Sequence, residues 1–138
     1  MPRWTCPACD REFAAAGQAH VCVPGGTVAD TFAGRPAYQL AAYQAMADHL
    51  GTLGPVHVDA VRVGVFLRRV GKFAEVRPKA RSLQLALWLP RTVDHPRVAR
   101  QIRVSAGQTV HMVKLTAVED VDDQVRAWLT ESYLAADG

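Results

Sequence analysis

Ser82-Leu83-Gln84-Leu85-Ala86-Leu87-Trp88-Leu89 places leucine at every odd position and Ser, Gln, Ala and Trp at the even ones. Successive side chains of a strand point to opposite faces, so this stretch predicts a β-strand with one buried leucine face and a second face of mixed character. The same period of two runs through Val61, Val63, Val65 and Leu67, which alternate with Arg62, Gly64, Phe66 and Arg68 and predict one half-buried strand over 61–67. Gly71-Lys72 reads as a hairpin turn into a strand over 73–77. On the other side, Pro90 and Pro96 bracket a loop. A short helical turn is expected over 97–101, a strand over 102–104, a turn at Ala106-Gly107-Gln108 and a strand over 110–115.

The flanks change period. Thr27 is expected to cap a short helical turn reaching Phe32, and Pro36 to open a helix in which Leu40, Tyr43, Ala47 and Leu50 recur at helical spacing before Gly51. Near the end, Thr116-Ala117-Val118-Glu119 fits a capping box, in which hydroxyl and carboxylate satisfy free N–H groups reciprocally. Glu119, Asp120, Asp122 and Asp123 follow where a helix dipole favours negative charge, which explains the acidic cluster without a metal. Val121, Val125, Trp128 and Leu129 make one apolar stripe, continued by Ser132 and Tyr133. The expected fold class is therefore α+β: a mostly antiparallel sheet of four to six strands flanked by N- and C-terminal helices, both on one face.

Ahead of this domain, Cys6, Cys9, His20 and Cys22 use every cysteine of the chain in a C-x2-C…H-x-C pattern. Zinc favours four sulfur and nitrogen ligands in a tetrahedron, and a closed Cys3His set leaves no position for water or substrate, so the expected Zn2+ is structural. Three thiols cannot all pair, so a disulfide framework strands one, and no strand-then-helix context supports a redox C-x-x-C. His20 and Cys22 would point to nearly opposite sides of a continuous helix, so a short helix through 14–19 is expected to end near His20. That makes a short knuckle rather than a DNA-reading finger. Such a module cannot bury a core alone, and metal would supply about 10–16 kcal/mol of its folding free energy. The expected organisation is a zinc knuckle over 1–23, a linker over 24–27 and an α+β domain over 28–138.

Trp4-x-Cys6-Pro7-x-Cys9-x-Arg11-x-Phe13 followed by Gln18-x-His20-x-Cys22 resembles the start of some members of an uncharacterised bacterial family. In the main domain the resemblance runs through Phe32-x-Gly34-Arg35-Pro36, Leu53-Gly54-Pro55-Val56, Phe73-Ala74-x-Val76-x-Pro78 and Asp120-Val121-Asp122-x6-Leu129-x3-Tyr133. The resemblance implies a domain of unknown function, some of whose relatives are labelled predicted transport proteins. No apolar run of this chain approaches the roughly 18 residues that cross a bilayer, so the transport label finds no support in a membrane segment. Nothing reads as a signal peptide, and thiolate ligands suit a reducing compartment, so a cytoplasmic location is expected.

Net charge of +3 hides an asymmetry. Residues 59–114 hold 12 Lys or Arg against 3 Asp or Glu, while residues 115–138 carry a net of −5. The candidate anion- or nucleic-acid-binding set is Arg62, Arg68, Lys72, Arg77, Lys79, Arg81, Trp88 and His111, because cations beside exposed rings supply phosphate contact and base stacking. In this view Arg62 and Arg68 share a strand face with Phe66, and His111 faces away from Val110 and Met112 on the surface or in a cleft. The alternative for these residues is a solvated outer sheet face. No Gly-rich phosphate loop and no nucleophile elbow occurs, so no catalytic residue is assigned. Three functions stay open: a non-enzymatic module binding nucleic acid or another anion; an enzyme or small-ligand binder with a cleft lined by Arg68, Lys72 and His111; and a protein-interaction adaptor acting through the knuckle.

Overall fold

In a computed structural model, residues 4–5, 12–13 and 27–136 are described. Strands β1 (Trp4–Thr5) and β2 (Glu12–Phe13) pair antiparallel, with Trp4 opposite Phe13. Then follow α1 (Val28–Thr31), α2 (Ala37–Gly51), β3 (His57–Val61), β4 (Gly64–Arg68), β5 (Lys72–Pro78), β6 (Leu83–Leu89), β7 (Val98–Ser105), β8 (Gln108–Leu115) and α3 (Asp123–Ala135). The last six strands form one antiparallel sheet in the order β3-β4-β5-β6-β8-β7. Four strands run as a meander. The chain after β6 then crosses to the outer edge as β7 and returns as β8 between the two.

The leucine face of β6 is the floor of the core. Leu83, Leu85, Leu87 and Leu89 are at most 1% exposed, and burial of each such side chain stabilises by about 1.5–3 kcal/mol. Across the register, Leu85 meets Val76 of β5 and Val113 of β8 on the same face. Met46 and Leu50 of α2 and Val125, Trp128, Leu129 and Tyr133 of α3 join the same buried cluster, so the helices cover this face. The α+β architecture and the single helical layer agree with the expectation.

Four local details differ from it. The stretch 61–67 is not one strand but the hairpin β3–β4, closed at Arg62–Val63 with Val61 opposite Gly64. Neither turn residue is Gly, Asn or Asp, so nothing in composition announces the turn. Opposed residues share a face, so Val61 lies on the Phe66 side and Val65 on the core side. Residues 98–101, expected as helical, begin β7: the Val98 amide bonds the His95 carbonyl at 2.9 Å, and the chain then pairs along β8. Pro36 is the N-cap of α2 rather than its first residue.

The Thr116–Glu119 capping box is replaced by a later start. The Asp120 carboxylate accepts the amides of Thr116 at 2.8 Å and Ala117 at 3.1 Å, around a 3-10 turn over Val118–Asp120. Helix α3 waits for Asp122, whose side chain accepts the Val125 amide at 3.0 Å. By contrast, Thr27 caps α1 as expected, with Asp30 closing the box.

Candidate functional site

Two faces of the sheet differ in what covers them. Opposite the helices, the register puts Phe66 across from Glu75, Glu75 across from Ala86 and Ala86 across from Met112. His57, Asp59, Arg68 and Arg77 extend this face toward the β3 edge, and Gln84, Trp88, Lys114, Arg100 and Ile102 extend it toward β7. No other described element of the domain lies over it. Phe66, Trp88 and Met112 are only half-buried, and Ile102 is exposed.

Glu75 sits at the centre. Its carboxylate takes the Lys72 ammonium at 2.5 Å and the Arg77 Nε at 3.2 Å, and it is itself buried beneath them. Burial pushes its pKa up, but hydrogen bonds and charge from Lys72 and Arg77 together outweigh that and hold it below the ordinary 4.5. The Lys72 Nζ lies 5.2 Å from the centre of the Phe66 ring and 4.8 Å from that of Trp88, and the Arg77 guanidinium lies 5.7 Å from Phe66. Beside this network, Asp59 lies 3.3 Å from both the Arg68 Nε and the His57 Nε2. The Arg68 contact is an ion pair whose geometry makes no hydrogen bond.

The eight residues singled out in sequence therefore divide three ways. Arg68, Lys72, Arg77 and Trp88 share the open face. Arg62, in the β3–β4 turn, and Lys79 and Arg81, after β5, stand at the far end of the sheet and not with Arg68 and Phe66. That end is fixed by the helices. Thr31 donates to the Val61 carbonyl at 2.7 Å, and the buried Gln39 amide donates to the carbonyls of Lys79 and Ser82 at 3.0 Å.

His111 lies on the other face altogether, opposite Leu87 and 1% exposed. Its Nε2 accepts the Val93 amide at 2.8 Å, which requires the proton on Nδ1, where the ring donates to the Thr109 carbonyl at 3.1 Å. Burial lowers its pKa, against hydrogen bonds at Thr109 and Leu87 that raise it. The ring pins the β6–β7 crossover to the sheet, and Arg91 and Arg97 tie the same crossover to Glu131 on α3 and to its N-cap Asp122. His111 thus faces away from Arg68 and Lys72, and the cleft expected among the three is not formed.

Sequence reasoning missed Glu75 as the organiser of the face, and missed Met112, Arg100 and Lys114 as members of it. Their signal was the alternation of β7 and β8, readable only once the register to β6 is known. The expected metal ligands Cys6, Cys9, His20 and Cys22 lie outside the described residues. Among the described residues no group of three or more His, Cys, Asp or Glu could hold a metal ion, and no helix is long and apolar enough to cross a membrane.

The main domain is thus an α+β sandwich of one helical layer on an antiparallel sheet with a charged, aromatic outer face. The family model for the domain of unknown function DUF5655 matches residues 28–136, and the chain belongs to that family. No curated protein and no solved structure matched the chain.

Proposed function

We propose that this protein is a non-enzymatic binding module in which a structural zinc knuckle precedes an α+β domain that binds single-stranded nucleic acid on its open sheet face. One observation carries the proposal: Phe66 and Trp88 stand half-buried, on a face that no other described element of the domain covers, among Arg68, Lys72, Arg77, Arg100 and Lys114. Against these five cations the face sets two carboxylates, Asp59 and Glu75. A broad sheet suits a splayed single strand, whose bases stack on rings while cations follow the phosphates. A duplex groove admits a helix or a two-stranded ribbon, not a six-stranded face. A base stacking on Phe66 or Trp88 takes the place of the Lys72 ammonium, which then turns to phosphate. Lys79, Arg81 and Arg62 extend the cationic track to the far end.

The Cys3His donor set of Cys6, Cys9, His20 and Cys22 fits Zn2+. The pairing of β1 with β2 supports a knuckle, since it brackets the stretch that carries Cys6 and Cys9. Thiolate ligation suits a cytoplasmic, reducing setting. Metal analysis of the purified chain should return one zinc per molecule, and Cys9→Ser should lose it. Two assays decide the binding claim. Fluorescence anisotropy with single- and double-stranded oligonucleotides should show single-strand binding that weakens as salt rises. Absence of binding at about 50 mM salt, where phosphate contacts are strongest, ends the proposal.

A further inference from the structure

At one end of the sheet, where β5 begins and β6 ends, the fold leaves a cavity of about 310 Å³. Lys72, Phe73, Trp88 and Leu89 form its floor, the hairpin tips at Gly71 and Gly107 flank it, and the last turn of α3 closes it at Ala135 and Ala136. The size is near the lower end of the range of about 300–1,000 Å³ typical of small-ligand sites. Its lining is mainly apolar. Lys72 is the one charged residue among the described lining residues, and its ammonium rests on the Glu75 carboxylate at 2.5 Å, so a bound phosphate would share it with Glu75. Gln108, also in the wall, offers both a donor and an acceptor through its amide. The Ser132 hydroxyl is spoken for, donating to the Phe73 carbonyl at 2.6 Å.

We infer that this cavity binds a single nucleotide, with the base against Trp88, the base edge at Gln108 and the phosphate at Lys72. The inference rests on the sheet-face proposal, since Lys72 and Trp88 belong to both the face and the cavity. A mainly apolar cavity with one cation and one amide in its lining matches a ring with a polar edge and one anionic group. A free mononucleotide and the phosphorylated end of a strand share that chemistry.

Two glycines supply clean variants. A Cβ at Gly71 or Gly107 would meet nothing within 4 Å, and neither residue has the left-handed backbone that penalises a side chain. Gly107→Leu and Gly71→Leu should therefore fold normally, checked by thermal melting, while filling the entrance. Val70, 65% exposed at the same rim, allows a charge test through Val70→Asp.

With AMP and UMP as probes in calorimetry, the wild type should bind. Gly107→Leu should weaken binding at least about ten-fold, equivalent to about 1.4 kcal/mol. Val70→Asp should weaken it about two- to five-fold at low salt, by like-charge repulsion at the rim. Oligonucleotides with and without a 5′-phosphate separate the two sources. A preference for the phosphorylated strand that Gly107→Leu abolishes assigns the site to a strand end, and no preference assigns it to the free mononucleotide. Failure of AMP and UMP to bind the wild type, or equal binding by Gly107→Leu, overturns the inference. Loss of the sheet-face proposal reads differently: it is failure of any oligonucleotide to bind the wild type.

Discussion

Replacing Glu75 by Gln should strengthen nucleic-acid binding, although it removes the centre of an ion-pair network. In the folded protein the Glu75 carboxylate holds Lys72 at 2.5 Å and Arg77 at 3.2 Å. Both cations therefore spend their charge within the protein. Gln keeps the shape and removes the charge. The stability cost is small, about 0–1 kcal/mol, because the two cations are about a third exposed and regain water when released. The binding gain is larger. Each phosphate contact to a single strand steepens the dependence of log K on log salt by about 0.7, so two released cations add up to about 1.4. Referred to 1 M salt, where that contribution vanishes, the gain at about 0.1 M is about 5-fold for one engaged cation and about 25-fold for two. Anisotropy titrations at several salt concentrations, with parallel thermal melts, read both numbers. An unchanged slope and affinity in a variant that still melts like the wild type would refute the role given to Lys72 and Arg77.

Three further outcomes test the framework that presents this face. Leu85→Ala empties a fully buried position at the centre of the sheet and should cost about 3–5 kcal/mol in a urea titration. Gly54→Ala should destabilise by about 1–3 kcal/mol, since Gly54 has φ +149° and an added Cβ would sit 2.5 Å from the Tyr133 hydroxyl, which donates to the Pro55 carbonyl. Burial depresses the pKa of His111, so its contribution is complete above the unfolded value of about 6.5 and is lost as pH falls through the lower folded value. Urea midpoints should therefore drop between about pH 7.5 and pH 5, and His111→Gln should flatten that part of the profile.

The leucine strand was legible because β6 is apolar at each position on one side and mixed on the other, which fixes both its period and its phase. β8 is apolar on both faces, with Val110 and Met112 on one side and Val113 and Leu115 on the other. Alternation then has no unique phase, and His111 is assigned to the wrong environment until the register to Leu87 decides it. The β3–β4 turn was hidden because Val61 and Val63 continue the apolar alternation straight through the reversal. Acidic residues after Thr116 marked the α3 start, but Thr116, Asp120 and Asp122 each offer a side-chain cap. Only the hydrogen bonds distinguish Asp120, which holds the preceding turn, from Asp122, which caps the helix. At the site, the cations and Trp88 could be found one by one. Their division between the open face and the far end could not, because it depends on the hairpin turns rather than on spacing.

The central claim is that Phe66 and Trp88 form the stacking surface of the open face. The most direct measurement is the affinity of a labelled single strand of about 12 nucleotides for the wild type and for the Phe66→Ala, Trp88→Ala double variant, across salt concentration. Stacking on an aromatic side chain contributes about 1–3 kcal/mol per base, so the double variant should bind at least about 30-fold more weakly. Its salt slope should stay unchanged, because no cation has been removed. Equal affinity of the two proteins, or a wild type that binds no single strand at low salt, would contradict the account.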